Sequence, residues 1–231
     1  MLPLRDNVPT QTFPYVTIGL IAANLVLWLW EWQGNVNADV LHYGWYPCSV
    51  VGPCVAPASE VHRTVWPESA VSSMFLHAGW LHVLGNMLFL WIFGNNVEDA
   101  FGHVRFLVFY VLAGFAALAL QSAVTLHWSG ASGASIPLVG ASGAIAGVLG
   151  AYLVLLPRAR VLTLIVVFIK EIPAIVFLGI WFLYQLWLGQ LAISHPDQGS
   201  NVAFFAHVGG FAFGAATVAV FSVRNPTRPS Y

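Results

Sequence analysis

Four polar residues lie in otherwise apolar stretches of this sequence and could carry out chemistry together: Ser142, His207, His82 and Asn86. A serine hydroxyl is a weak nucleophile, and a neighbouring imidazole that accepts its proton makes it reactive. Histidine and asparagine side chains can donate hydrogen bonds to a developing oxyanion. These residue types predict acyl transfer with Ser142 as the nucleophile and His207 as the general base.

The second pair has a helical spacing. His82 and Asn86 are four residues apart, so a helix places them on one face, where both can act as oxyanion donors. A serine in a membrane helix often bonds only its own backbone, and a lone histidine there often bonds a neighbouring helix. No one of these residues is therefore specific by itself.

The composition indicates the environment that must hold these residues. Of the 231 residues, 58% are hydrophobic and 7% are charged, and the mean hydropathy is +0.77. A soluble domain usually has about 25% charged residues. We therefore expect a polytopic protein whose surroundings are the lipid bilayer. The net charge of −1, without a basic run, argues against a nucleic-acid partner.

Six segments are long and apolar enough to cross a bilayer, which takes about 20 residues. They cover residues 15–32, 74–93, 104–125, 136–156, 172–193 and 202–223. The predicted fold is all-α, with a six-helix membrane domain at 15–223 between a short N-terminal segment at 1–14 and a tail at 224–231. A long first connector spans about 33–73. The apolar run 161–169 is too short to span, and we expect a lead-in that lies on or dips into the membrane.

Basic residues predict the orientation, because they accumulate on the cytoplasmic side. With the N-terminus inside, only Arg63 lies outside, and the inner side holds Arg5, Arg105, Arg158, Arg160, Lys170, Arg224 and Arg228. We expect both termini to be cytoplasmic and the membrane to be the plasma membrane. Cys48 and Cys54 then lie in the external first connector, either as a disulfide or as two independent thiols.

Depth and glycine spacing favour a contact between the fourth and sixth spans. At about 1.5 Å per residue, Ser142 and His207 each lie roughly 8–10 Å below the outer end of their span. Both spans contain two glycines four residues apart, which let membrane helices approach closely. These glycines are Gly143, Gly147, Gly210 and Gly214.

Other chemistries fit less well. No carboxylate lies in the middle of a predicted span, which disfavours an aspartyl intramembrane protease and a proton-coupled transporter. No histidine is followed by glutamate, so the zinc-protease motif is missing. We expect no cofactor and no metal.

The order of these motifs resembles the rhomboid family of intramembrane serine proteases. The matching stretches are residues 77–86 (HAGWLHVLGN), 93–99 (FGNNVED), 140–143 (GASG) and 207–214 (HVGGFAFG). The resemblance implies a six-helix core with Ser142 and His207 as a catalytic dyad. It also implies an oxyanion hole formed by His82, Asn86 and the Ser142 backbone N–H.

The same resemblance implies an endopeptidase whose partners are single-span membrane proteins, cut near the outer end of their transmembrane segment. It implies a lateral gate at the aromatic-rich fifth helix and a cap loop at 194–201. Two features depart from the family pattern. Ala146 stands where many members have an aromatic residue that stacks on the histidine, and the first connector has no Trp-Arg pair.

Two alternatives stay open. A second GASG at 130–133 offers Ser132 as a competing nucleophile, although no apolar helix follows it directly. A catalytically silent, rhomboid-like binding factor would use the same scaffold, but such relatives tend to lose the serine or the histidine. His77 is expected to support the outer end of the second helix.

Overall fold

The protein is described by a computed structural model over residues 1–51, 54–56, 58–59, 63–64, 67–194 and 202–224. The expected cap loop, from residue 195 onward, and the tail from residue 225 lie outside the described residues. Parts of the first connector do so as well.

Helices of apolar residues dominate the described chain. In order they are α1 (Tyr15–Gln33), α2 (Val36–Tyr43), α3 (Glu68–Ser72), α4 (Trp80–Phe89), α5 (Asn95–Phe101), α6 (His103–Trp128), α7 (Gly130–Ala134), α8 (Ser142–Leu155), α9 (Ala174–Ser194) and α10 (Phe204–Phe221). By length and composition α1, α6, α9 and α10 can each cross a membrane, and α8 is a shorter apolar helix. This architecture confirms the expected polytopic helical bundle.

The second membrane helix is longer than expected and begins later. A π-helical turn, Leu90–Gly94, joins α4 to α5, so helical backbone continues from Trp80 to Phe101. The predicted start at residue 74 is wrong because residues 74–79 are not helical. Asn86 consequently lies in the first half of this helix, on the same side as the start of α8.

The fourth span also starts later than predicted. Residues 136–141 are not helical, and α8 begins at Ser142 itself. Gly140 has a φ of 122°, a conformation that a non-glycine residue rarely adopts and that interrupts the helix. Ser142 is therefore the first residue of its helix, whereas the predicted span 136–156 placed it more than a turn inside. His207 likewise lies in the first turn of α10.

A small sheet was not expected in a helical protein. Strands β1 (Leu2–Asp6), β2 (Arg160–Ile165) and β3 (Phe168–Pro173) form an antiparallel sheet in the order β1-β2-β3. The run 161–169 thus belongs to a β-hairpin, whose second strand ends at Pro173 directly before α9. Its β-branched residues favour a strand, but its first partner, β1, is more than 150 residues away in the chain.

Carboxylates hold together the end of the bundle at which α1 begins. Glu98 is fully buried and accepts hydrogen bonds from the backbone N–H groups of Val16 and Thr17, at 2.9 and 2.7 Å. It thereby caps the N-terminus of α1. Asp6 accepts from the Tyr152 hydroxyl at 2.6 Å and from the Asn96 amide at 2.8 Å, which ties β1 to α8 and α5.

The helix α8 lies at the centre of the fold, with every residue from Gly143 to Tyr152 buried. It crosses α10 at the four spaced glycines. A Cβ on Gly210 would overlap the carbonyl oxygen of Gly143, and one on Gly214 would overlap that of Gly147. The two backbones therefore touch directly, without side chains between them.

Candidate active site

The helix crossing brings together two of the predicted residues. The Nε2 atom of His207 lies 2.9 Å from the Oγ atom of Ser142, although the residues are 65 positions apart in sequence. Because α8 and α10 are in backbone contact at Gly143 and Gly210, the side chains of Ser142 and His207 at the two helix starts can reach each other.

The other nitrogen of the same imidazole contacts a residue that the sequence reasoning missed. The Nδ1 atom of His207 lies 2.8 Å from the Oε1 atom of Gln185 in α9. An amide oxygen only accepts, so Nδ1 carries the proton and Nε2 is the acceptor that faces Ser142. A signal existed, because Gln185 is a polar residue inside an apolar span.

An aromatic ring also lies beside His207, but it comes from a different helix than in the family pattern. The Trp181 ring on α9 is 5.8 Å from the His207 ring, centroid to centroid. Ala146 on α8 is fully buried and provides no ring. The helix α9 thus contributes both the hydrogen-bond acceptor and the aromatic neighbour of the imidazole.

His82 and Asn86 line the same cavity as Ser142 and His207, with a volume of about 480 Å³. The remaining walls are mainly apolar. The loop before α8 approaches this wall closely, since a Cβ on Gly140 would lie 2.7 Å from Nε2 of His82. Glycine at this position therefore allows the loop before Ser142 to pass next to the His82 imidazole.

Buried polar groups lie behind this wall. His77 is fully buried, and its Nε2 atom is 3.0 Å from the side-chain nitrogen of Asn86. Its backbone N–H donates to Oε2 of Glu31 in α1, at 3.3 Å. His77 therefore connects the end of α1 to Asn86, and it precedes the start of α4 by three residues.

The first connector is anchored next to the same loop. Trp45 pairs with Leu138 through two backbone hydrogen bonds of 3.0 and 2.7 Å. Its indole N–H donates to Ser122 Oγ on α6 at 2.9 Å. In the same connector Cys48 and Cys54 form a disulfide. These contacts hold the connector in place without the Trp-Arg pair of the family pattern.

The competing serine lies outside this cavity, and a candidate metal site is missing from the described residues. Ser132 is exposed on the short helix α7. Within the part of the chain that the structure describes, no group of three or more His, Cys, Asp or Glu residues could hold a metal ion.

Comparison with known proteins gives a consistent family assignment. A family model described as "Rhomboid domain" matches residues 62–224. RHOMBOID-like protein 1 of Arabidopsis thaliana is 35% identical over 165 residues, which cover 71% of this chain and 36% of the relative. Rhomboid protein 1, mitochondrial, of Saccharomyces cerevisiae is 29% identical over 148 residues, 63% of this chain and 39% of the relative.

A mammalian protein is similar over a longer stretch. The mouse presenilin-associated rhomboid-like protein, mitochondrial, is 29% identical over 203 residues, 85% of this chain and 46% of the relative. The chain spans less than half the length of each of these three relatives. Since the family model covers more than half of the chain and matches the stretches that carry its polar residues, the chain belongs to the rhomboid family.

Proposed function

We propose that this protein is an intramembrane serine endopeptidase that cleaves single-span membrane proteins near the outer end of their transmembrane segment. The observation that carries the proposal is the 2.9 Å contact between Ser142 Oγ and His207 Nε2. This is the hydrogen bond that a serine nucleophile needs with its base, and the accepting nitrogen faces the hydroxyl.

The reaction follows from this geometry. Ser142 Oγ attacks the scissile carbonyl carbon while His207 Nε2 takes the hydroxyl proton, and the proton then passes to the leaving amine. Water then attacks the acyl-enzyme carbonyl while His207 Nε2 takes its proton, and the ester bond to Ser142 Oγ breaks as His207 returns the proton to that oxygen. The oxyanion is held by the backbone N–H of Ser142 together with His82 and Asn86, which share the cavity with the nucleophile.

The position of Ser142 at the start of α8 favours the same step. The backbone N–H groups in the first turn of a helix have no intrahelical acceptor, and the helix dipole places partial positive charge there. Negative charge that develops next to Ser142 is therefore stabilised. A nucleophile deep inside the helix would lack this contribution.

The substrate must enter from the lipid and unwind. A peptide bond in a helix has its carbonyl hydrogen-bonded and surrounded by side chains, so only a segment with its helix opened can place a carbonyl beside Ser142. The cavity next to α9 suits such an extended stretch, with Trp181 on its wall. We propose α9 as the lateral gate.

We also propose an orientation and a location. The inner side of the bundle, where Glu98 caps α1, is the cytoplasmic side, and both termini are on it. The membrane is the plasma membrane, since an external first connector suits the Cys48–Cys54 disulfide. The mitochondrial location in two relatives' names belongs to those proteins.

The test is cleavage by the detergent-purified protein of a panel of single-span membrane proteins, together with labelling by a fluorophosphonate probe. The wild-type protein should cleave some substrates and be labelled at Ser142. Ser142→Ala should abolish both, and His207→Ala should lose the label. Ser132→Ala is the matched control and should behave as wild type.

Two results would contradict the proposal. Full proteolysis by Ser142→Ala, or labelling at Ser132, would remove Ser142 as the nucleophile. Binding of single-span proteins without any cleavage or labelling would instead favour the catalytically silent binding factor.

A further inference from the structure

The side chain of Gln185 is buried on a helix that otherwise faces mostly outward. Only five residues of α9 are buried, and Gln185 is the one polar residue among them, with 7% of its surface exposed. A buried amide is costly unless its polar atoms are bonded. Here the amide oxygen is 2.8 Å from Nδ1 of His207.

This contact has the position that a carboxylate takes in a Ser-His-Asp triad. There the acid accepts the Nδ1–H of the base and holds the imidazole in the tautomer whose Nε2 faces the serine. Among the described residues, the only hydrogen-bond partners of the His207 ring are Gln185 and Ser142.

An amide has two chemically different ends, and only one of them supports catalysis. The oxygen selects a protonated Nδ1 and leaves Nε2 able to accept from Ser142. The nitrogen would donate to Nδ1, place the proton on Nε2 and aim a donor at the hydroxyl. The oxygen faces His207, so the dyad has the productive tautomer.

We propose that Gln185 is a positioning residue for the base, so that α8, α9 and α10 contribute one member each to a Ser142–His207–Gln185 array. The expected effect on the reaction rate rests on the proposed function, whereas the expected effect on the His207 tautomer does not. A neutral oxygen orients the imidazole without adding a full negative charge. The Trp181 ring lies near the same imidazole in a tilted arrangement and provides an aromatic contact that Ala146 does not.

The experiment compares the full-length, detergent-purified protein with Gln185→Met and Gln185→Glu, using the rate of fluorophosphonate labelling of Ser142. Methionine has a similar length but no strong acceptor. Since a positioned base contributes about 10²–10⁴ in rate, we expect labelling of the methionine variant to slow by about ten- to a hundredfold. Glutamate keeps an oxygen acceptor for Nδ1–H whether its carboxyl group is ionised or protonated, so it should restore the rate to within a few-fold of wild type.

The order of the two variants separates positioning from packing. If Gln185 only filled space, the apolar methionine would be tolerated better than a buried carboxyl group, and glutamate would be slower. Gln190→Met, on the exposed side of the same helix, is the control and should keep the wild-type rate. Methionine at the wild-type rate, or glutamate slower than methionine, would overturn the inference.

A second readout does not depend on activity. The ¹⁵N NMR shifts of the His207 ring report which nitrogen carries the proton. We expect a protonated Nδ1 in the wild type and a mixed or reversed population in Gln185→Met. An unchanged tautomer in the methionine variant overturns the inference. If the tautomer changes as expected in Gln185→Met but the probe never labels the wild-type protein, the result would contradict the proposed function alone.

Discussion

The Nε2 atom of His77 lies 3.0 Å from the side-chain nitrogen of Asn86, and its Nδ1 atom lies 3.2 Å from the carbonyl oxygen of Phe75. A carbonyl only accepts, so Nδ1 carries the proton and Nε2 must accept from the Asn86 amide. The bond therefore fixes which end of that amide faces His77. The second amide hydrogen is left for the cavity that Asn86 lines.

The first prediction concerns this pair. His77→Leu removes the acceptor and lets the Asn86 amide turn, so cleavage should slow even though His77 does not line the cavity. Loss of one oxyanion donor costs about 10²–10³ in turnover, and the loss in His77→Leu should not exceed this. The measurement is turnover of the best single-span substrate by His77→Leu, Asn86→Ala and the double variant.

If His77 acts through Asn86, both substitutions remove the same oxyanion donor. The double variant should then be no slower than Asn86→Ala. Multiplicative losses would mean that the two residues act independently. Wild-type turnover in His82→Ala, Asn86→Ala and their combination would exclude both from the oxyanion hole.

The second prediction concerns the helix crossing. In Gly214→Ala the new Cβ would overlap the carbonyl oxygen of Gly147, so α8 and α10 must separate. Overpacking of this kind costs about 1–3 kcal/mol, and the separation should also lengthen the Ser142–His207 contact. We expect a lower apparent Tm in detergent and reduced probe labelling.

The matched control is Gly179→Ala on α9, where an added Cβ meets nothing within 4 Å. Alanine in a helix is favoured over glycine by about 0.5–1 kcal/mol, so this variant should be as stable as the wild type or slightly more so. Equal Tm values for Gly214→Ala and Gly179→Ala would argue against a tight crossing.

The third prediction concerns Asp6 in the strand β1 of the small sheet. Burial raises the pKa of this carboxyl from 3.8 to about 6, against the opposing effect of the Tyr152 hydroxyl bond. The folded state therefore binds the proton more tightly than the unfolded state. Its stabilising contribution is complete below about pH 4 and is lost as the pH rises towards 6.

Asp6→Asn removes this titration and keeps one oxygen acceptor for Tyr152 or Asn96. The apparent Tm of Asp6→Asn minus that of the wild type should rise between about pH 4 and pH 6 and be flat on either side. A difference that stays constant across this range would mean that Asp6 has its ordinary pKa in the folded protein.

The fourth prediction concerns the two cysteines. In protein purified without reductant, maleimide titration after denaturation should find no thiol, and two should appear after reduction, because the chain has only Cys48 and Cys54. Two reactive thiols before reduction would refute the disulfide.

The fifth prediction concerns orientation. Single cysteines should be placed at exposed positions in a background without Cys48 and Cys54, at Asn37 in α2 and at Arg105 and Arg158 near the other end of the bundle. In intact cells an impermeant maleimide should reach position 37 but not positions 105 or 158. Labelling of position 158 from outside would reverse the proposed topology.

The sequence by itself determined the class of protein, the approximate positions of the apolar helices and the polar residues that we propose to react. These follow from local rules. Lipid cannot satisfy backbone polar groups, so long apolar runs must be helical, and a polar residue inside such a run stands out wherever it lies. This rule identifies Ser142, His82, Asn86 and His207. The glycines of α8 and α10 are identified instead by their four-residue spacing.

The tertiary structure alone decided where the helices start and what the polar groups bond. Hydropathy continues through residues 136–141, but the backbone turns at Gly140 because the loop must pass beside His82. The strand β2 needs β1 from the other end of the chain. The role proposed for Gln185 follows only from its contact with the Nδ1 atom of His207. Each of these features depends on atoms distant in sequence, so no local pattern of hydropathy or residue type could determine it.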